Sequence, residues 1–159
     1  MTLSLFATEG GSHATVTGGV IELSANRKGD IAESSFITAC QLRDYDIFKP
    51  FGHAQSADVC LVKAGSSPIL TQIKTAGKDQ DRPNSYHINI GKGSSDKQAY
   101  KVGDFHVLAA YLPDRNEFVL WTLKDLGGRV TLRYNPEKHR QPGNWNLLDE
   151  VAESLTPTQ

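Results

Sequence analysis

The sequence predicts an α+β domain in which a central mixed β-sheet is flanked by an N-terminal helix and a C-terminal helix. Three observations carry this expectation. Apolar residues recur at three- and four-residue spacings between Arg27 and Arg43, short β-rich runs follow in hairpin-like pairs, and helical spacing returns only at Asn146–Leu155. A chain of 159 residues suits one domain, and 38% hydrophobic with 22% charged residues places it among ordinary globular proteins rather than disordered ones.

Residues 1–26 are rich in Gly, Ser and Thr and hold one β-like run, Gly19–Leu23, so they read as an N-terminal arm or an edge strand ahead of a single domain spanning 27–159. From Arg27 to Arg43 the residues Ile31, Ala32, Phe36, Ile37, Ala39, Cys40 and Leu42 form the stripe of an amphipathic helix, with Asp30 and Glu33 near its start. Tyr45–Pro50 alternates and stops at proline, as a short strand does. The runs 57–62 and 68–75, joined by Lys63–Ser67, predict a hairpin. Residues 76–101 hold mostly Gly, Ser, Asp, Lys and Asn around one apolar island, Tyr86–Ile90, and read as a long, mobile loop containing a strand. Phe105–Leu112 and Glu117–Leu123 predict a second hairpin around Pro113–Asn116, and Val130–Tyr134 a further edge strand. Asn146–Leu155 closes the chain as a helix before Pro157.

Several functional classes are excluded by pattern. The longest apolar runs fall far short of the roughly 18 to 20 residues a membrane span needs, and the first residues lack the basic start and apolar core of a secretory signal, so a cytoplasmic protein is expected. Cys40 and Cys60 sit among apolar residues and outside any Cys-x-x-Cys pair, which suits buried free thiols. His13, His53, His87 and His106 show no zinc spacing, Ser34, Ser35 and Ser56 occupy no nucleophile elbow, and Gly91–Ser95 lacks phosphate-loop spacing.

One constellation points to chemistry. Asp58 and Lys74 are charged residues within apolar strands, a costly placement unless they reach water or a ligand. Strand periodicity puts Gln72 and Lys74 on one face, and the hairpin brings Asp58 beside them. A carboxylate, the Gln72 amide oxygen, the Ile73 carbonyl and a lysine suit Mg²⁺, and Glu33 adds a second carboxylate if the first helix packs across the strand ends. Such a site in outline hydrolyses phosphodiesters, the metal polarising a phosphate oxygen and acidifying water while the ammonium stabilises charge.

This pattern, Lys28-Gly29 leading to Glu33, then Asp58, then Gln72-Ile73-Lys74, together with the later run Asp104–Pro113, resembles the PD-(D/E)XK nucleases. It is most similar to the branch of group I intron-encoded homing endonucleases, which is related to archaeal-type Holliday junction resolvases, and the likeness spans about residues 27–125. The resemblance implies the α/β-like core of restriction endonucleases, with Asp58 as central metal ligand, Lys74 as catalytic lysine, Glu33 as helix carboxylate, and Gln72 where most members have an acid. Ala57 stands where a proline is usual. The implied cofactor is Mg²⁺, with Mn²⁺ able to substitute.

Charge along the chain fits a nucleic-acid partner. Between residues 63 and 101 the basic residues Lys63, Lys74, Lys78, Arg82, Lys92, Lys97 and Lys101 outnumber Asp79, Asp81 and Asp96, an excess of four positive charges, while the tail carries Asp149, Glu150 and Glu153. The expected DNA-binding residues are Lys28, Lys78, Arg82, Asn84, Tyr86, His87, Lys92, Lys97 and Lys101. The expected activity is site-specific cleavage of double-stranded DNA. The alternatives are a Holliday junction resolvase acting on branched DNA, a restriction-type nuclease, and a non-catalytic DNA-binding module degenerate at Gln72. Cutting both strands requires two active sites, so a homodimer or homotetramer is expected.

Overall fold

A computed structural model describes residues 15–17, 20–52, 55–93 and 95–156, with side chains from residue 23 onward. Strands β1 (Thr15–Thr17) and β2 (Val20–Glu22) pair with each other as a separate antiparallel ribbon, not with the main sheet. Helix α1 (Ala25–Gln41) begins two residues before Arg27 because Ser24 accepts the Arg27 N–H in its side chain, satisfying a donor that the first turn leaves unpaired. Ala32, Phe36 and Cys40, four apart, are its buried stripe. Asp44 takes a left-handed φ of 66° to turn the chain into the strands.

The main sheet contains β3 (Asp46–Phe48), β4 (Val59–Val62), β5 (Ile69–Thr75), β8 (Val107–Leu112) and β9 (Glu117–Thr122), in the order β3-β4-β5-β8-β9. All neighbours are antiparallel except β5 and β8, which run parallel; a parallel pair requires a long crossover, supplied here by residues 76–106. Strand β8 is buried at every position because both its faces are covered. Val107, Ala109 and Tyr111 pack with α1 and with α3 (Asn146–Leu155), whose Leu147, Leu148, Val151 and Ala152 complete that core. Leu108, Ala110 and Leu112 belong to a second core on the opposite face. Both helices therefore lie on one side of the sheet.

The second core corrects two expectations. The strand expected at Tyr86–Ile90 is β7 (Tyr86–Asn89), but the stretch 76–101 does not otherwise stand alone as a loop: β6 (Gly77–Lys78) and β7 form a three-stranded sheet with β10 (Thr131–Tyr134), in the order β10-β7-β6. Nor does β10 border the main sheet, since it pairs with β7 in the register Leu132↔Ile88. Tyr86, Ile88, Ile90 and Tyr134 face inward, and Tyr134 stacks edge-on against Trp121 at a centroid distance of 5.4 Å. A short helix, α2 (Leu123–Leu126), stands where the end of a strand was expected; Thr122 and Asp125 close a reciprocal capping box at its start, and Gly127 ends it at φ 56°. Cys40 and Cys60 are free thiols, the first buried, the second half-buried. His13 and His53 lie outside the described residues. Among those residues no helix is long and apolar enough to cross a membrane.

Candidate active site

The register of the first hairpin builds the site. Val59 pairs with Thr71, which sets Asp58 opposite Gln72, and the Asp58 N–H donates to the Thr71 carbonyl at 2.9 Å. Asp58 Oδ2 accepts from the Gln72 side-chain nitrogen at 2.5 Å and from the Ile73 backbone N–H at 2.7 Å. The same Gln72 nitrogen donates to the Ile73 carbonyl at 3.3 Å, and the Tyr100 hydroxyl lies 3.5 Å from Gln72 Oε1. Gln72 is only 5% exposed, so these contacts satisfy a polar group inside the fold. Two residues along the pleat, Lys74 emerges on the same side of β5, half-buried.

Glu33 approaches from α1, and with Asp58, Gln72, Ile73, Lys74, Lys28 and Lys78 it lines one cleft of about 690 Å³. The four residues expected to carry the chemistry thus share one opening. Burial pushes the Asp58 carboxyl above its usual range; the Ile73 N–H and the charges of Lys74 and Lys49 pull it back, while Glu33 pushes the same way as burial. Lys49 was not foreseen. Its Nζ sits 2.8 Å from Glu33 Oε2, and that hydrogen bond, with further help from Asp58 and Asp30, raises the lysine's own pKa. The β3–β4 pairing ends at Phe48↔Cys60, and Lys49, the next residue along the chain, reaches Glu33 from there; no local motif signals this.

The donor set suits a hard divalent cation. Asp58 Oδ2 and the Ile73 carbonyl oxygen converge on a single atom, the Gln72 amide nitrogen, whose N–H groups occupy the position a cation would favour. A half-turn of that amide exchanges nitrogen for oxygen and sets its oxygen next to Asp58 Oδ2 and the Ile73 carbonyl, a cluster of three oxygen donors, while the Tyr100 hydroxyl, which can donate or accept, stays satisfied. Among the described residues no three His, Cys, Asp or Glu side chains gather into a metal cage. Two carboxylates, one amide and one carbonyl fit an ion that keeps several of its own waters.

The family profile for PD-(D/E)XK endonuclease matches residues 23–152, from the residue before the α1 cap into α3. The chain belongs to the PD-(D/E)XK endonuclease family. A solved bacterial homing endonuclease, I-Ssp6803I, has the same fold, with a TM-score of 0.73 and 18% identity over 85% of this chain and 99% of that one. Comparison with curated proteins returned no match. The family and α+β fold implied by the sequence resemblance are thereby borne out.

Within this endonuclease the expected DNA contacts fall into three groups. Lys28 and Lys78 line the cleft, Lys78 pairing with Asp114 at 2.8 Å. Arg82 and His87 are exposed on the β6–β7 hairpin, and Asn84 holds its turn at φ 63° while donating to Glu137 at 2.7 Å. Lys92, Lys97 and Lys101 lie elsewhere along the crossover: Lys92 reaches Ser56 at 2.8 Å and Asp104 at 3.6 Å, Lys97 packs over Gly91, and exposed Lys101 donates its backbone N–H to Asp104. Tyr86 is a correction. Its ring is 3% exposed in the second core, so it has no face for a base; its hydroxyl donates to the Asp114 carboxylate at 2.9 Å. Asp114 and Tyr100 also escaped the sequence reading, because crossover and turn geometry alone bring them to the site.

Proposed function

We propose that this endonuclease hydrolyses phosphodiester bonds of double-stranded DNA at specific sites, in the manner of a homing enzyme, with Mg²⁺ as cofactor and Mn²⁺ as a substitute. The observation that carries the reading is that Asp58 and the Ile73 carbonyl both meet the Gln72 amide in a cleft that Lys74 and Glu33 also line. Asp58, Gln72, the Ile73 carbonyl and Glu33 would hold the ion, directly or through its waters. When bound, the ion supplies Lewis-acid polarisation of the phosphate and a more acidic water. Lys74 orients the attacking water and stabilises the negative charge that grows on the phosphate. Lys28 and Lys78 hold the backbone on either side of the scissile group.

A duplex presents two strands of opposite polarity, so two copies of a one-site chain cut both; the working form is a homodimer or homotetramer acting on DNA in the cytoplasm. Lys74→Ala should lower cleavage of supercoiled plasmid in Mg²⁺ by roughly 10² to 10⁴-fold, with DNA retention in a gel-shift assay essentially unchanged. Undiminished cutting by the variant removes Lys74 from the chemistry and with it this assignment. A four-way junction assayed beside a randomised linear duplex separates a homing enzyme from a resolvase, because only the former selects bases.

A further inference from the structure

We propose that the outward face of the β10-β7-β6 sheet is the base-reading surface of this endonuclease and lies in the major groove of the duplex held by the cleft, an inference that rests on the nuclease reading above.

Strand β6 serves two structures at once. Gly77 and Lys78 line the cleft, and the same two residues form the edge strand of the sheet, in register with His87 and Tyr86. The sheet turns its apolar side chains inward, so along β7 His87 and Asn89 stand outward, and their cross-strand partners on β10 are Arg133 and Thr131. All four are exposed.

The composition of this face is not that of a merely solvated sheet. Asparagine is depleted from strands, yet Asn89 ends one and is still paired with Thr131. Among the described residues the side chains of His87, Asn89 and Thr131 make no hydrogen bond to the protein, and Arg133 makes only a loose ion pair, at 3.8 Å, with Asp79. That pair aims the guanidinium while leaving most of its five donors free. Arg, Asn, His and Thr are side chains that meet base edges in the major groove, arginine pairing with guanine and asparagine with adenine in two-bond contacts. A two-stranded antiparallel ribbon is also an element whose width that groove admits. Gly77, opposite His87, carries no side chain, and a Cβ placed there would meet only the His87 carbonyl, at 3.8 Å, so the edge nearest the cleft is bare backbone that a DNA strand can approach.

Reach fixes which bases are read. Three residues of extended chain from Lys74 to Gly77 span about 10 Å, and each strand crossed adds about 5 Å. His87 therefore lies within roughly 15 Å and Arg133 within roughly 20 Å of Lys74, which at about 3.4 Å per base pair is at most about four to six base pairs from the cut.

The test uses the full chain, with Arg133→Ala and Asn89→Ala beside the parent and folding checked by thermal unfolding. A randomised duplex library is challenged twice: bound duplexes are recovered in Ca²⁺, and cleaved duplexes in Mg²⁺. Each variant is expected to lose preference roughly tenfold at one or two positions within about six base pairs of the cut, with non-specific affinity falling less than threefold. Bound and cleaved pools identical to the parent's in both variants would overturn the inference while leaving the nuclease standing. A uniform loss of binding across all sequences would also overturn it, since that marks a phosphate contact. If the parent cuts nothing but its bound pool shows the variant-sensitive positions, the base-reading face stands and the catalytic reading falls.

Discussion

Replacing Gln72 by glutamate tests the geometry of the site more sharply than removing any residue. Gln72 donates to Asp58 Oδ2 at 2.5 Å, so in Gln72→Glu a carboxylate oxygen takes the place of the donor. Asp58 loses a hydrogen bond, at a cost of about 1–3 kcal/mol for a buried acceptor. Two like charges about 3 Å apart repel by roughly 5 kcal/mol at an effective dielectric constant near 20, before any relaxation. The cleft is open and the new side chain can turn away, so a net destabilisation of about 2–3 kcal/mol in EDTA is expected, equivalent to a fall in Tm of roughly 4–12 °C for a domain of this size. The pH dependence has a definite sign. A carboxylate pair sharing one proton has a folded-state pKa above its unfolded value near 4, and burial already raises that of Asp58. The defect should therefore be small near pH 4 and grow as pH rises to its full size by about pH 8. A divalent ion reverses it, since 100 times the dissociation constant contributes about 2.7 kcal/mol to the folded state. Thermal unfolding at pH 5 and pH 8, with EDTA or excess Mg²⁺, reads all of this, and Gln72→Met serves as the uncharged control. A Gln72→Glu protein that melts with the parent at pH 8 in EDTA, or whose loss Mg²⁺ does not reverse, would refute the convergence of Asp58 and Gln72 on a cation site.

Two further variants break contacts made to carboxylates of the same cleft, Glu33 and Asp114. Lys49→Ala breaks a largely exposed pair with Glu33, so its stability cost should stay below about 1 kcal/mol and disappear in 1 M salt; removing a cation beside Asp58 and Glu33 should tighten Mn²⁺ binding several-fold in calorimetry, and weaker binding would show that Lys49 instead positions Glu33. Tyr86→Phe removes the hydroxyl from Asp114 and should cost about 1 kcal/mol at pH 7. Partial burial raises the Asp114 carboxyl, but the hydrogen bonds from Lys78 and Tyr86 outweigh it and hold the group below its usual range. Its contribution is present above about pH 4 and lost as pH falls through the depressed value, so parent and variant should converge in urea unfolding once pH is taken below it; a difference that persists in acid would place the effect in packing.

What the sequence revealed of the fold divides by the distance between partners. The β4–β5 and β8–β9 hairpins pair across short turns, and their β-branched runs and turn residues sit next to one another in the chain. Strand β7 pairs with β10 from Asn89 to Thr131, across two strands of the other sheet and a helix. Nothing near Tyr86–Ile90 announces that partner, and the surrounding Gly, Ser, Asp and Lys read as loop. The capping box of α2 was present in the sequence as Thr122 and Asp125, yet the apolar run before it masked the change of period. The site follows the same division. Asp58, Gln72 and Lys74 were legible because a two-residue period and one hairpin determine their relation. Lys49 required the register of a second strand pair, and Asp114 the position of a turn beyond a parallel crossover.

Charge was the least transferable reading. The basic excess of residues 63–101 and the acidic tail were separate features along the chain, but in the fold they meet: Lys63 pairs with Asp149 at 3.2 Å on the α3 side, and Lys92 is drawn to Asp104. Of the seven basic residues in that stretch only Lys74 and Lys78 line the cleft, joined by Lys28 from α1. Against these three stand Glu33, Asp58 and Asp114, so the cleft lining is balanced rather than positive. The balance is unevenly distributed. Lys78 is held by Asp114, and Glu33 is held by Lys49, while among the described residues Lys74 and Lys28 have no carboxylate oxygen within ion-pair distance. The two unpaired ammonium groups therefore belong to β5 and the first turn of α1, on the same cleft lining as Asp58. The field in this cleft is thus set by how its six charges are paired, a property of strand register that no sum along the sequence contains.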